Sequence, residues 1–214
     1  MNNIQRHSYP RTFHLPWSEG ATSDDKKLRD CSSFVGKEVI VTEKRDGENT
    51  TGYADGYVHA RSVDGTGKEY QSFFIKKWRE VSFRLPDTLR VCGENLYAKH
   101  SISYDNLTDY FEMFGVYDDT RRLHWDECLL WAEELNLTVV PVLYRGIWDE
   151  KKVKSICNSI DTTAVEGIVV SSVETFDVSD FKDNVAKFVR KNHVQTDQHW
   201  TKNWTPNKLI GKDN

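Results

Sequence analysis

Short runs of alternating or β-branched apolar residues recur along the chain and predict a protein rich in strands. Gly167–Ser171 is a nearly continuous apolar run, which predicts a buried strand. An Asp55-Gly56 pair between two other runs is typical of a β-hairpin turn. The predicted strands are Lys37–Glu43, Asn49–Ala54, Tyr57–Ser62, Thr88–Cys92, Tyr110–Tyr117, Thr138–Leu143, Gly167–Ser171 and Asn184–Val189.

Helical periodicity appears at three places between these strands, and the second helix has its apolar residues on one stripe. The helices are predicted at Lys68–Val81, around the stripe Trp125, Cys128, Leu129, Ala132 and Leu135, and at Glu150–Ile160. Because strands and helices are mixed rather than strictly alternating, the pattern favours an α+β fold built on antiparallel sheets over a doubly wound one. Residues 1–36 show little periodicity, and we expect them to form an irregular segment packed on the domain.

The composition is that of a globular protein. Of the 214 residues, 38% are hydrophobic and 29% are charged. No run approaches the roughly 18 apolar residues of a membrane-spanning helix, and the N-terminal residues lack an apolar signal core. We therefore expect no membrane partner and a cytoplasmic location, or the host cytoplasm if the protein is viral. The four cysteines form no CxxC pair, which favours reduced, buried thiols over a metal or redox site.

Charge is distributed unevenly along the chain. The net charge of −4 argues against a protein that coats nucleic acid with its whole surface. Residues 182–212 nevertheless hold seven Lys or Arg against two Asp, a local charge of +5. Residues 193–214 form a short basic tail with Trp200 and Trp204, which either lies along a phosphate backbone or packs against the domain. Charge alone does not separate these two interpretations.

The stretch Lys44-Arg45-Asp46-Gly47 follows the first predicted strand and carries candidate chemistry. Its Asp-Gly pair predicts a tight turn, and Gly47 lets the backbone approach a ligand closely. A lysine in a partly desolvated site lined by cations loses its proton near neutral pH and becomes a nucleophile. A surface hairpin with a solvated lysine explains the same residues. The stretch alone therefore leaves both interpretations open.

Five further features follow in a particular order: an arginine, a Gly-Glu pair at a strand end, an aromatic strand, a Glu-Gly pair before the buried strand, and a lysine on the last strand. These features are Arg61, Gly93-Glu94, Phe111–Gly115, Glu166-Gly167 and Lys187. Each alone is explained by a surface charge or a core residue. With the lysine stretch, their order resembles the covalent nucleotidyltransferase superfamily, which includes polynucleotide ligases and messenger-RNA capping enzymes. The resemblance is strongest to the ATP-dependent RNA ligases and spans roughly residues 39–191.

This resemblance implies a fold and a reaction. The fold is a nucleotidyltransferase (ATP-grasp-like) domain over residues 37–192, with two antiparallel sheets flanking a nucleotide pocket. Lys44 would attack the α-phosphate of ATP and carry AMP as a lysyl phosphoramidate. The AMP would then pass to a polynucleotide 5′-phosphate, and a 3′-hydroxyl would displace it. The implied partner is RNA or nicked nucleic acid with these two ends.

The resemblance also assigns roles to individual side chains. Glu166 would anchor Mg²⁺ or Mn²⁺, because a hard divalent cation takes carboxylate oxygens. Lys187 would hold the α-phosphate as a positive charge, and Phe114 would stack on adenine. Nucleotide-binding roles are implied for Glu43, Asn49, Arg61, Glu94, Phe114, Lys187 and Lys191.

The last motif departs from the family pattern. The family usually has a second lysine two residues after the first, and Val189 stands at that position here. Arg190 or Lys191 is the candidate replacement, but strand alternation points Arg190 to the face opposite Lys187. Lys191 shares the face of Lys187 only if the strand continues that far. Only about two dozen residues follow Lys191, so we expect a catalytic domain without an appended domain.

Four other functions were compared with the residues. A DNA nick-sealing ligase or a polynucleotide end-adenylylating enzyme would use the same motifs. A catalytically silent nucleic-acid-binding relative would keep the fold but is disfavoured by the retained Lys44, Glu94, Glu166 and Lys187. A kinase or ATPase with a phosphate loop is disfavoured because Ser62 stands where Gly65-Thr66-Gly67-Lys68 would require a glycine.

Overall fold

The computed structural model describes residues 4–161, 163–191 and 204–211, and its described residues form two β-sheets with three α-helices. The helices are α1 (Ser72–Val81), α2 (Trp125–Glu134) and α3 (Glu150–Ser159). The strands are β1 (Phe13–His14), β2 (Glu38–Lys44), β3 (Glu48–Tyr53), β4 (Val58–Ala60), β5 (Arg90–Asn95), β6 (Phe111–Tyr117), β7 (Arg121–Arg122), β8 (Thr138–Val139), β9 (Val142–Ile147), β10 (Gly167–Ser172), β11 (Phe176–Asp177) and β12 (Val185–Val189). Four short 3₁₀ turns lie at Ser32–Phe34, Glu69–Gln71, Ser82–Arg84 and Val178–Asp183.

The first sheet has five strands in the order β1-β12-β10-β2-β9. Its central strand β10 pairs antiparallel with β2 and β12, and the register places Gly167 opposite Lys44 and Val169 opposite Lys187. The inner strands carry β-branched residues whose side chains are buried, such as Val41 and Val170. This sheet therefore fixes the relative positions of the two candidate lysines.

The second sheet has seven strands, with β11-β7-β6-β5-β3-β4 in order and β8 paired to β6. The register of β3 against β5 places Asn49 opposite Glu94. On the other side of β5, β6 carries Phe111 and Phe114. Helix α1 packs its buried Phe74 on Phe111 with ring centroids 3.8 Å apart, which closes the core on this side of the sheet.

The predicted α+β class with two sheets is confirmed, and the differences lie in where elements end. The predicted strand Thr138–Leu143 is two strands in different sheets, because Pro141 has no backbone N–H to continue a ladder. Helix α1 begins at Ser72 rather than Lys68, since Glu69–Gln71 form a 3₁₀ turn. The sheets are also not purely antiparallel: β1 with β12 and β6 with β8 are parallel pairs.

The composition raised two questions, whether a helix spans a membrane and whether the cysteines are paired. None of the described helices is both long and apolar enough to cross a membrane. All four cysteines are buried, and no disulfide joins them.

The described part of the C-terminal tail, residues 204–211, packs against the loop of residues 96–110. Asn207 is 1% exposed, and its Oδ1 accepts a hydrogen bond of 2.9 Å from the backbone N–H of Tyr104. Its Nδ2 donates to the carbonyl of Leu96 at 2.8 Å.

Trp204 lies edge-on to Tyr70 with ring centroids 6.3 Å apart. Of the two interpretations of the tail, packing is the one that applies to these residues; Trp200 and Lys202 lie outside the described residues.

We predict that Asn207→Ala destabilises the protein by about 2–4 kcal/mol, because it leaves a buried N–H and a buried carbonyl without partners. The free energy of unfolding in urea measures the effect. The exposed Asn106→Ala in the same loop is the control and should stay within about 0.5 kcal/mol of wild type. Equal stability of the two variants would contradict the assignment of Asn207 as a structural clamp.

Candidate active site

A cavity of about 260 Å³ lies between the two sheets and is lined by residues of both. Part of the lining is charged, and another part is aromatic or aliphatic. The charged and polar part includes Glu43, Lys44, Arg45, Asn49, Arg61, Glu94 and Lys187. The apolar part includes Tyr9, Ile40, Phe114, Tyr117, Trp125, Val140, Val169 and Val185. This division suits a ligand with a flat apolar portion and an anionic portion.

Lys44 is the last residue of β2, and its side chain contacts Glu166. The Nζ atom lies 2.5 Å from Oε2 of Glu166, and the two side chains are 23% and 10% exposed. Gly167 makes this contact possible, because a Cβ atom there would lie 1.9 Å from the carbonyl oxygen of Phe188. The absence of a side chain lets β10 lie close to β12 with Glu166 beside Lys44.

The charges around Lys44 differ from the sequence-based expectation. Burial alone would lower the pKa of the Lys44 ammonium, but the carboxylates of Glu166 and Glu94 outweigh it and raise the pKa above its ordinary value. The expectation that neighbouring cations lower this pKa is therefore wrong. The side chain in contact with Lys44 is an acid, Glu166, and an ionised acid stabilises the charged form of the amine.

Lys187 lies on β12, half-buried, and lines the same cavity. Burial lowers the pKa of its ammonium, and the positive charge of Lys44 lowers it further. Asp25 opposes this shift and lies 3.7 Å from Nζ, measured to Oδ1. The cavity therefore holds two lysines whose pKa values shift in opposite directions.

Glu94 is the second acid of the site and accepts a hydrogen bond of 3.2 Å from the backbone N–H of Gly47. Burial raises the pKa of Glu94 to about 8, with the charge of Lys44 acting against this shift. Glu166 and Asp46 raise it further by like-charge repulsion. Glu94, Glu166 and Asp46 therefore form a cluster of acids in which burial, more than repulsion, disfavours the charge of Glu94.

Asn49 and Phe114 have the environment that a nucleoside site requires. The Oδ1 atom of Asn49 is buried and makes no hydrogen bond with any residue in the described part of the chain. Such an acceptor suits a ligand hydroxyl. Phe114 is half-buried in the cavity wall, and the ring of Tyr9 packs edge-on against it with centroids 5.3 Å apart. The cavity wall therefore offers the ring of Phe114 and the acceptor oxygen of Asn49 to the same ligand.

Arg61 and Glu43 also line the cavity. Arg61 follows β4, is exposed, and donates from Nη2 to the carbonyl of Pro10 at 3.3 Å. Glu43 precedes Lys44 and pairs with Arg45, with 2.9 Å between Oε2 and Nη1. The structure thus brings both predicted residues to the site.

Lys191 is the exception among the predicted residues. Strand β12 ends at Val189, so the alternation that would return Lys191 to the face of Lys187 stops. Lys191 is exposed and lines a separate cavity with Trp17 and Lys154. The structure does not bring it to the cavity of Lys44, which corrects its predicted place among the nucleotide-binding residues. Val189, at the position of the family's second lysine, is 1% exposed.

The acids around Lys44 fit a divalent cation that is bound jointly by the protein and by a phosphate-bearing ligand. Among residues 4–161, 163–191 and 204–211, no three His, Cys, Asp or Glu side chains form a ready-made metal cage. Mg²⁺ is commonly held by one or two carboxylates together with phosphate oxygens and water. Glu166 fits that role because it lies in the cluster of acids, where added positive charge relieves repulsion.

The sequence did not predict the contacts of Arg45 and Asp46, nor the place of Tyr9 in the site. Asp46 accepts hydrogen bonds from Ser101 Oγ at 2.6 Å and from the backbone N–H of Ile102 at 2.7 Å, which fixes the turn after Lys44. Arg45 pairs with the buried Glu112, with 2.8 Å between Nε and Oε2. An acid inside the apolar strand Phe111–Tyr117 was the available signal for this pair. Tyr9 gave no signal, because its segment has no periodicity.

Two facing sheets, with a lysine at a strand end beside an aromatic wall and a cluster of acids, define a nucleotidyltransferase-type fold. The model of the RNA ligase family matches residues 37–189, and the chain belongs to that family. The predicted family resemblance is therefore confirmed. No curated protein sequence matches the chain significantly.

Similar solved structures include ligases from three sources. An archaeal ATP-dependent RNA ligase has a TM-score of 0.58 and 18% identity, covering 86% of this chain and 48% of its own. An Aquifex aeolicus protein assigned as an ATP-dependent DNA ligase has a TM-score of 0.57 and 18% identity, and the match covers 86% of this chain and 50% of that protein. A Naegleria gruberi RNA ligase variant with ATP and Mn has a TM-score of 0.54 and 15% identity, and the match covers 87% of this chain and 61% of that protein. These similarities show the fold, and the chain spans about half the length of the first two.

We predict that the stability of the protein depends on pH through Glu94. The pKa of Glu94 in the folded protein, about 8, lies above its ordinary value of 4.5. The resulting stabilisation is therefore complete below pH 4.5 and is lost as the pH rises through about 8. Because Glu94→Gln stays neutral, its melting temperature should rise relative to wild type across this range.

Thermal melts at a series of pH values measure the difference between Glu94→Gln and wild type. The exposed Glu134→Gln is the matched control, and its difference from wild type should stay flat with pH. A Glu94→Gln difference that is equally flat would mean that the buried carboxyl does not titrate in this range.

Proposed function

We propose that the protein is an ATP-dependent RNA ligase that forms a lysyl-AMP intermediate on Lys44. The observation that carries this proposal is the cavity in which Lys44 and Lys187 stand with Glu94, Asn49 and Phe114. Family membership supports the reaction class. The cavity supports the assignment of individual roles, because these five residues line it and Glu166 contacts Lys44.

In the first step, Nζ of Lys44 would donate its lone pair to the α-phosphorus of ATP. The N–P bond forms while the bond from phosphorus to the bridging oxygen of pyrophosphate breaks. Before attack the ammonium must release a proton to solvent, which the negative charge of Glu166 opposes. Mg²⁺ or Mn²⁺ held at Glu166 would neutralise this carboxylate and the phosphate oxygens, which favours the neutral amine.

The remaining residues would bind and orient the nucleotide. Phe114 offers a ring face to adenine, and the open Oδ1 of Asn49 offers an acceptor to a ribose hydroxyl. Glu94 lies opposite Asn49 in the sheet and would accept from the second hydroxyl. Lys187 would donate to the α-phosphate oxygens, where negative charge builds up during displacement. Arg61 at the exposed rim would reach the sugar or a phosphate.

Later steps would pass AMP to a 5′-phosphate end and join that end to a 3′-hydroxyl with release of AMP. The substrate is proposed as RNA or nicked nucleic acid. The alternatives are a DNA nick-sealing ligase, to which the similarity with the Aquifex aeolicus protein gives some weight, and an enzyme that only adenylylates ends.

We predict that wild-type protein mixed with α-labelled ATP and Mg²⁺ acquires a label that is stable to alkali and labile to acid, as a phosphoramidate is. Lys44→Ala should abolish the label because the attacking nitrogen is gone. Gel autoradiography measures it. The exposed Lys76→Ala on α1 is the matched control and should label like wild type. Labelling of the Lys44→Ala variant would remove Lys44 from this role, and unlabelled wild type would favour the silent relative.

We further predict that sealing depends on the sugar at the 3′-hydroxyl side of a nick. Two duplexes that differ only in having RNA or DNA strands on that side separate the alternatives. An RNA ligase should join the ribose-ended nick faster, and electrophoresis of the joined strand gives both rates. Faster joining of the deoxyribose-ended nick would favour the DNA ligase, and adenylylated ends without joining would favour the end-adenylylating enzyme.

A further inference from the structure

The N-terminal segment lies outside the range matched to the family, residues 37–189, yet it forms part of the candidate site. Tyr9 and Thr12 line the cavity. Strand β1 pairs in parallel with β12, and the register places His14 opposite Lys187. The backbone N–H of Leu15 donates to the carbonyl of Lys187 at 2.7 Å. The segment is therefore attached directly to the strand that carries the second lysine of the cavity.

Asp25 extends from this segment toward the Lys187 side chain. Its Oδ1 lies 3.7 Å from Nζ of Lys187. Its Oδ2 accepts hydrogen bonds from the backbone N–H of Thr22 at 3.1 Å and from the Thr22 hydroxyl at 3.0 Å. Partial burial opposes ionisation, but the bonds from Thr22 and the charge of Lys187 lower the pKa of Asp25 to about 2. Asp25 is therefore an anion at neutral pH.

The buried His14 lies beside this anion. Nε2 of His14 lies 3.2 Å from Oδ1 of Asp25 but makes no hydrogen bond with any of the described residues, and the imidazole is 1% exposed. Its Nδ1 lies 2.8 Å from the hydroxyl of Ser18. That hydroxyl oxygen accepts a hydrogen bond of 2.9 Å from the backbone N–H of Val189. Asp25 is thus held by its own turn at Thr22, and a side chain anchored to the strand of Lys187 packs beside it.

The separation between Asp25 and Lys187 is informative. At 3.7 Å the two groups attract each other as an ion pair but lie beyond ordinary hydrogen-bond distance. A lysine side chain is flexible and its ammonium has three donors. A fixed carboxylate at this distance restricts where the ammonium lies and leaves its donors available for phosphate oxygens.

We propose that Asp25 is a positioning residue that holds Lys187 in place for the phosphate of the nucleotide. The inference rests on the proposed function, because it assumes that Lys187 contacts the transferred phosphate. Asp25 itself would not touch the nucleotide. Its effect would appear in the rate of adenylyl transfer rather than in the strength of nucleotide binding, since a misplaced cation stabilises the transition state less.

The test compares Asp25→Asn with Asp24→Asn in single-turnover labelling over a range of ATP concentrations. Asp24 is the matched control, because it is exposed and its described hydrogen bond, to Arg11, uses its backbone carbonyl. Asp25→Asn should lower the rate at saturating ATP about tenfold and leave half-saturation within about twofold of wild type. Asp24→Asn should behave like wild type in both respects.

A double-mutant cycle with Lys187→Gln separates positioning from general damage. If Asp25 acts through Lys187, Asp25→Asn should cause no further loss in the Lys187→Gln background. Thr22→Val removes one of the bonds that hold Asp25 and should give a smaller loss of rate in the same direction. If Asp25→Asn melts far below wild type, Thr22→Val takes its place in the comparison of labelling rates.

Each outcome decides the proposal. An equal loss in both backgrounds, an unchanged rate for Asp25→Asn, or a change confined to half-saturation would overturn it. For an Asp25→Asn variant that does not fold, a wild-type rate for Thr22→Val would also overturn it. Absence of label on the wild-type protein would overturn the proposed function together with this inference. Label on wild type leaves the proposed function standing whatever the Asp25 variants show.

Discussion

The ion pair between Lys44 and Glu166 depends on how three strands lie beside one another. Lys44 ends β2, Glu166 precedes β10, and Gly167 lets β10 approach β12 without a side chain in the way. A side chain at Gly167 would push the strands apart and displace both charged groups. The position of the candidate nucleophile therefore follows from strand packing within one sheet.

The cavity disfavours the charge of one of its acids and stabilises the charge of its candidate nucleophile. Glu94 binds its proton unusually tightly, while Lys44 is held in its charged form. The main causes differ: burial raises the pKa of Glu94, whereas the acids beside Lys44 raise the pKa of its ammonium against the effect of burial. A cation brought in with a triphosphate would lower both pKa values. The proposed reaction and the pKa shifts are in this sense complementary.

The order of motifs along the sequence located residues that sit on regular strands. The resemblance to the RNA ligases placed Glu94 and Phe114 in one site, and both lie on strands that line the cavity. Lys191 was misplaced because the end of β12 depends on tertiary contacts, among them the bond from the Val189 N–H to Ser18. Tyr9 and Asp25 could not be found, since they lie in a segment without periodicity. The hydroxyl of Tyr9, for example, meets that of Tyr117, 108 positions away.

The break at Pro141 has a consequence for the shape of the crevice. Strand β8 belongs to one sheet and β9 to the other, so at this point the chain crosses the gap through two residues, Val140 and Pro141. Val140 lines the cavity, and the carbonyl of Pro141 accepts the N–H of Glu43 at 2.9 Å. So short a connection sets the distance between the two sheets along that margin of the cavity.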